Sequence, residues 1–188
     1  MSENCILVSI KDRVLTIALN EPDSLNALTI EMLTLVAQAI NNAAKDKSVA
    51  AIVIEGNGKA FCAGVNLKKL GKLECSAGKI NRTLLEACLS VSRAIQQAPV
   101  PVIAKVHGIC FTGALELILF CDMVYTDKSA KFADTHVKFG LRPMWAMSQN
   151  LPEIVGLMKA KEICFTAESF MADKAYGMGL VNEVVNTK

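Results

Sequence analysis

Pro99 and Pro101 set off a β-branched run over residues 102–106. It opens the most constrained stretch of this sequence, residues 102–122: Val-Ile-Ala-Lys-Val-His-Gly-Ile-Cys-Phe-Thr-Gly-Ala-Leu-Glu-Leu-Ile-Leu-Phe-Cys-Asp. A run of that length and type reads as a buried strand. A turn holding Gly108 and Gly113 follows, and residues 114–121, apolar on nearly every side, read as a buried helix. Glu116 breaks the apolar rule, on the first turn of that helix. A helix N-terminus presents unpaired N–H groups and a partial positive charge. Gly113 has no side chain to keep a ligand oxygen from its N–H. A carboxylate inside an apolar helix is costly unless it is paired or used. A backbone donor beside a buried acid is what stabilising an oxyanion and moving a proton require. The stretch by itself is also compatible with a structural unit in which a hidden Arg or Lys satisfies Glu116.

The rest of the chain supplies the frame. Residues 6–10 and 14–19 read as a hairpin around Lys11-Asp12-Arg13. Thr29 caps a helix to about Ala44, with Met32, Leu33, Val36, Ile40 and Ala43 on one face. Residues 51–55 form a buried strand, and Asn66 caps a short helix over 67–71. Residues 71–79 read as a mixed connection, and 80–97 as a long helix with a stripe at Leu84, Leu85, Cys88, Val91 and Ile95. Short strands are expected at 123–126 and 131–133, and a loop at 134–143. Helices follow at 146–155, 158–165 and 170–178, the last capped by Ser169 and ended by Gly179, with a final strand at 181–185. Strands alternating with helices predict an α/β fold with much parallel sheet, in one domain over 1–188.

Composition removes several function classes. The basic and acidic residues, 20 and 18 in number, are interspersed, and no basic stripe points to nucleic acid. No apolar run is long enough to span a membrane, and the start lacks a secretory pattern. Seven cysteines without a C-x-x-C, several inside apolar runs, suit free thiols in a reducing, cytoplasmic setting. The two histidines lie far apart, so no local zinc motif exists and no metal is expected. Gly56-Asn57-Gly58 after a strand is not a dinucleotide fingerprint, because Phe61 stands where its third glycine would fall.

Two glycine turns remain, each between a strand and a helix: Gly64-Val65-Asn66 and Thr112-Gly113-Ala114. In α/β sheets such turns lie at strand carboxyl ends, where ligands bind. With them the chain resembles the crotonase superfamily, the enoyl-CoA hydratase/isomerase family. The matching pieces are Asn26-Ala27-Leu28, Gly58-Lys59-Ala60-Phe61-Cys62-Ala63-Gly64, Pro101-Val102-Ile103-Ala104, Gly113-Ala114-Leu115-Glu116-Leu117 with Cys121-Asp122, Ala130-Lys131-Phe132, and Gly179-Leu180-Val181-Asn182. They run in family order from about residue 6 to 185. The resemblance implies a crotonase-like spiral of ββα repeats and an acyl-CoA substrate of fatty acid metabolism, with no cofactor beyond the CoA it carries. It implies an oxyanion hole from the N–H groups of Val65 and Gly113, and Glu116 as a catalytic acid/base. It implies CoA and substrate contacts at Ala60, Phe61, Ala63, Gly64, Asn66, Leu67 and Lys68. It also implies homotrimers or hexamers, and C-terminal helices beyond the point where this sequence stops, so the C-terminal helical part is expected to be absent or truncated.

The sequence departs from the family in places. Hydratases carry a second glutamate after the Ala-Lys-Phe strand, whereas this chain reads Asp134-Thr135-His136. His136 therefore stands in the place of the second acid, where it either exchanges protons near neutrality or only hydrogen-bonds within a loop. Asp134 can also approach the site. Thr112 and Ala114 replace glycines and crowd the second turn. Arg142, Met144 and Trp145 reshape the acyl pocket, or Trp145 is a core aromatic. His107 packs at a strand end; Lys59 and Lys68 are solvated or meet CoA phosphates. One glutamate suffices for isomerisation and decarboxylation needs chiefly the oxyanion hole. Those reactions, and acyl-CoA binding without turnover, stand beside hydration.

Overall fold

Alternation decides which face of the first strands is inside. In β2 (Val14–Leu19), Leu15, Ile17 and Leu19 are buried and the residues between them are not. It pairs antiparallel with β1 (Ile6–Lys11) through a tight turn in which Asp12 and Arg13 have φ of 51° and 67°. Two left-handed residues match the twist of a hairpin. The computed structural model of the chain describes residues 5–70 and 82–186. The expected connection at 71–79 and the first two residues of the expected helix at 80–97 lie outside them.

From β2 the sheet grows by parallel pairing to β3 (Ala51–Gly56), β4 (Val102–Val106), β6 (Met123–Asp127) and β9 (Glu183–Val185), in the order β1-β2-β3-β4-β6-β9. A smaller sheet, β5-β7-β8, is built from β5 (Ile109–Phe111), β7 (Lys131–Ala133) and β8 (Phe170–Met171). The two sheets explain the ββα rhythm. β4 enters the large sheet, β5 the small one, and α4 (Gly113–Ile118) follows; β6 and β7 repeat the step. Cys62 forms a single parallel bridge to Cys110 of β5, so the loop after β3 makes a minimal version of the same step. Helix α1 (Ile30–Ala43) packs on α3 (Arg82–Gln97), and the one-turn α2 (Leu67–Leu70) falls between them in sequence. Thr29 caps α1 as expected, its hydroxyl accepting the Met32 N–H at 3.1 Å.

Several expectations are corrected. The turn expected after Val106 contains β5, too short at three residues to leave a periodic signature. Helix α4 ends at Ile118 rather than 121. The loop at 134–143 holds a 3-10 turn, His136–Phe139. Ser169 does not cap the last helix: Phe170–Met171 pairs with β7, and α7 (Ala172–Gly177) starts after it with Met171 at the cap position. The last strand begins at Glu183, not 181.

Asn26 shows what holds the loops at the site. It is wholly buried with φ 55°, a conformation asparagine tolerates better than alanine. Its side-chain N–H groups donate to Asn57 O at 2.9 Å and Ala60 O at 2.8 Å, and its oxygen accepts the Glu21 N–H at 2.8 Å. Asn26→Ala removes these bonds and leaves the buried Ala60 O without its donor, and is expected to cost roughly 1–3 kcal/mol, read as a lower midpoint in urea unfolding.

Candidate active site

The loop after β3 is stitched along β5 before it turns. Phe61 N–H donates to His107 O at 2.8 Å and Cys62 N–H to Ile109 O at 2.9 Å. Gly64, at φ 95°, then bends the chain toward Leu28. Leu28 N–H donates to Gly64 O, and Asn66 N–H to Leu28 O. In such a parallel bridge the intervening Val65 N–H points away from Leu28. On its other side lies the turn into α4. A Cβ added to Gly113 would stand 3.1 Å from Val65 Cγ2 and 3.5 Å from Val65 N, and one added to Gly64 would stand 3.4 Å from Gly113 N. The two turns are therefore in contact, and neither Val65 N–H nor Gly113 N–H has an acceptor among the described residues.

Thr112 holds the second turn. Its φ of 53° and ψ of −108° are strained for a β-branched residue. Three hydrogen bonds fix it. Its N–H donates to Ala133 O at 2.8 Å, its hydroxyl meets the Thr135 hydroxyl at 2.5 Å, and the same oxygen accepts the Thr135 N–H at 3.2 Å. The crowding expected of Thr112 is thus absorbed by Thr135, which precedes His136.

Glu116 lies one turn into α4 and is 4% exposed. Its Oε1 accepts the Trp145 N–H at 2.9 Å, and its Oε2 lies 3.8 Å from His136 Nε2. The Trp145 N–H bonds one oxygen and the His136 imidazole stands near the other; among the described residues no Arg or Lys pairs with it. Burial pushes the Glu116 carboxyl up to about 7, against the opposing pull of His136 and the Trp145 N–H. His136 is itself anchored, its Nδ1 2.6 Å from Asp134 Oδ1. Burial alone would lower the His136 imidazole, but the Asp134 hydrogen bond and the charges of Glu116 and Asp134 outweigh it and hold it above its ordinary value.

A cavity of about 590 Å³ opens beside these groups. Its wall includes Val65, Thr112 and His136 with the apolar Leu84, Phe139 and Leu141. Of the seven residues expected to contact CoA or substrate, Ala63, Asn66, Leu67 and Lys68 line it. Ala60 and Phe61 do not line it with their side chains: both are core residues, and Phe61 is among the largest fully buried side chains. They anchor the backbone that leads to Gly64, which, with Gly113, stands directly behind the Val65 wall. Glu116 sits behind His136. His107 Nε2 meets Gly58 O at 3.0 Å, tying strand end to loop. Trp145 is 2% exposed, with its ring 5.9 Å from that of Phe120, and so is a core aromatic.

Sequence reasoning missed the Thr135 clasp and the Trp145 N–H, which carry no residue-type signal. Asp134 was legible in principle. A carboxylate two residues before another residue can take that residue's N–H in an Asx turn, and Asp134 Oδ1 accepts the His136 N–H at 3.2 Å.

Along most of its length the chain is similar to known proteins. The family model described as Enoyl-CoA hydratase/isomerase matches residues 9–188. A protein of Arabidopsis thaliana named probable enoyl-CoA hydratase 1, peroxisomal, is 34% identical over 98% of this chain and 68% of its own length. The peroxisomal Delta(3,5)-Delta(2,4)-dienoyl-CoA isomerase of the same plant is 30% identical over 93% of this chain and 66% of its own. A crystal structure of an enoyl-CoA hydratase from Mycobacterium avium subsp. paratuberculosis K-10 superimposes with a TM-score of 0.85 at 29% identity, over 96% of this chain and 68% of that one. The chain thus spans about two thirds of the length of these relatives.

Proposed function

The chain belongs to the enoyl-CoA hydratase/isomerase family, and we propose that it adds water across the double bond of a 2-enoyl-CoA thioester. The observation that carries this reading is the Glu116–His136 pair, 3.8 Å apart, with His136 on the cavity wall and Glu116 behind it, near two N–H groups that have no acceptor among the described residues. The thioester oxygen accepts from Val65 N–H and Gly113 N–H, which stabilise the enolate as it forms. The Glu116–His136 gap is too long for a direct hydrogen bond, but both groups can reach one water at about 2.8 Å. One of the pair takes a proton from that water as its oxygen attacks the β-carbon; the other delivers a proton to the α-carbon. In this reading Lys68 and Asn66, which line the same cavity, meet the CoA portion. The chemistry takes no cofactor beyond the CoA of the substrate. The reading includes one domain over 1–188 and assembly into trimers or hexamers. That assembly is supported by apolar surface on α6 (Leu157–Thr166), where Met158 and Phe165 stand exposed. Among the described residues no helix is long and apolar enough to cross a membrane; a cytoplasmic setting is part of the proposal, and two relatives are named peroxisomal.

Double-bond isomerisation is the second reading, favoured by His136 in place of a second carboxylate. Crotonyl-CoA is the substrate that tests the first. The expected result is loss of the conjugated thioester, with 3-hydroxyacyl-CoA as product. The expected pH profile is a narrow bell near neutrality, because Glu116 titrates near 7 and His136 above its ordinary range. Its limbs belong to the coupled pair rather than to either residue. Conversion of 3-enoyl-CoA with no hydration of crotonyl-CoA overturns the hydratase reading and leaves the isomerase.

A further inference from the structure

We propose that Asp134 is a positioning residue for His136: its Oδ1 fixes the tautomer with the proton on Nδ1 and turns Nε2 toward the cavity and Glu116. The inference rests on the reading of His136 as an acid/base group. Its basis is geometric. One carboxylate oxygen takes both the ring Nδ1–H at 2.6 Å and the His136 backbone N–H at 3.2 Å. The Asx turn and the ring orientation are therefore set by one atom. The imidazole cannot rotate about its side chain without breaking the shorter bond, and Nε2 stays on the side of Glu116, 3.8 Å away.

The other carboxylate oxygen argues against a purely structural role. Asp134 is 1% exposed, yet among the described residues its Oδ2 has no N–H or O–H partner, and the only further group at the carboxylate is the weakly donating Cys164 thiol. A buried carboxylate kept only for stability would have both oxygens paired. This one takes the ring and backbone N–H groups of His136 on Oδ1, with the Cys164 thiol also beside it, so much of its charge acts on His136. The titratable groups facing the imidazole are Asp134 itself, Glu116 from α4, and Cys164 from α6 beside Asp134. Burial pushes the Cys164 thiol up to about 12, with Asp134 adding to the shift, so it stays neutral across the working range. The Asp134 carboxyl is held below its ordinary value: burial alone would raise it, but the His136 hydrogen bond and charge prevail. It therefore remains an anion while His136 gains and loses its proton.

This is the arrangement by which a buried aspartate orients an imidazole and supports its charged form. In a hydratase whose second acid is a glutamate no such partner is needed, because a carboxylate presents two equivalent oxygens. A histidine presents two unlike nitrogens, and one must be assigned.

The test is nitrogen-15 NMR of the His136 ring in the full chain, without substrate, followed by the pH–rate profile on crotonyl-CoA. In the wild type the proton should reside on Nδ1, with Nε2 the titrating nitrogen. In Asp134→Asn the His136 midpoint should fall, kcat should drop by at least about tenfold, the limb of the profile set by His136 should move to lower pH, and acyl-CoA Kd should stay within about twofold. A proton on Nε2 in the wild type overturns the proposal without any variant, and so holds even if Asp134→Asn fails to fold. A folded Asp134→Asn with unchanged His136 titration also overturns it. Because the ring titration needs no turnover, a protein inactive on every enoyl-CoA ester would sink the functional reading while leaving this inference to stand or fall by itself.

Discussion

Glu116→Gln is expected to lower turnover of crotonyl-CoA by at least about a hundredfold, the low end of what a positioned acid/base group contributes. Acyl-CoA binding should survive, since Glu116 sits behind His136 and not among the cavity-lining residues. The glutamine keeps an oxygen for the Trp145 N–H, so the geometry at 2.9 Å is preserved and only the proton chemistry is lost. The same variant should be more stable than the wild type at pH 8. The carboxyl titrates near 7 in the folded chain against an ordinary 4.5, so the folded state disfavours the ionised form. That cost is absent below about pH 4.5, grows as the pH rises to 7, and is constant above. Its upper bound is about 3 kcal/mol, equivalent to several degrees in Tm for a chain of this size. A higher Tm at pH 8 with no gain at pH 4, together with lost turnover, marks Glu116 as a group held at a cost to the fold for the sake of the reaction. Unchanged turnover removes Glu116 from the mechanism.

The periodic elements were legible because each buries one face. The stripe of α1, the run of β4 and the alternation of β2 all stand in the sequence at the spacing that the fold uses. The elements missed are those whose existence depends on a distant partner. β5 and β8, three and two residues long, form only because β7 lies between them. The site divides in the same way. Gly64, Gly113 and Glu116 are conspicuous residue types in conspicuous places. What makes them a site is the contact of two turns 48 residues apart or so in sequence, and backbone groups such as the Trp145 N–H, whose role no side chain announces. Ala60 and Phe61 show the limit of motif position: it put them near the ligand but did not say that their side chains fill the core behind the loop, which leaves their backbone for that role.

The second large effect is expected of Gly64→Ala. At φ 95° an alanine is strained by about 1–3 kcal/mol. Its Cβ would also stand 2.8 Å from Phe111 O, a backbone atom that cannot swing away, and 3.4 Å from Gly113 N. Relief requires the Gly64-Val65 turn and the Thr112-Gly113 turn to separate, which moves apart the two N–H groups proposed to share the thioester oxygen. One oxyanion donor is worth roughly a hundred- to a thousandfold in turnover; displacing both should cost at least as much as losing one. Lower activity in a strained variant could reflect poor folding alone, and Gly156→Ala supplies the comparison. Gly156 has φ 81° with no atom of the described residues within 4 Å of an added Cβ, and it lies between α5 (Met147–Val155) and α6. It should lose stability through backbone strain of the same kind and keep its turnover. Urea unfolding and initial rates on crotonyl-CoA for the two variants separate the terms. Gly64→Ala with turnover close to that of Gly156→Ala would mean that the contact between the two turns is a packing feature, and that the oxyanion is held elsewhere or not at all.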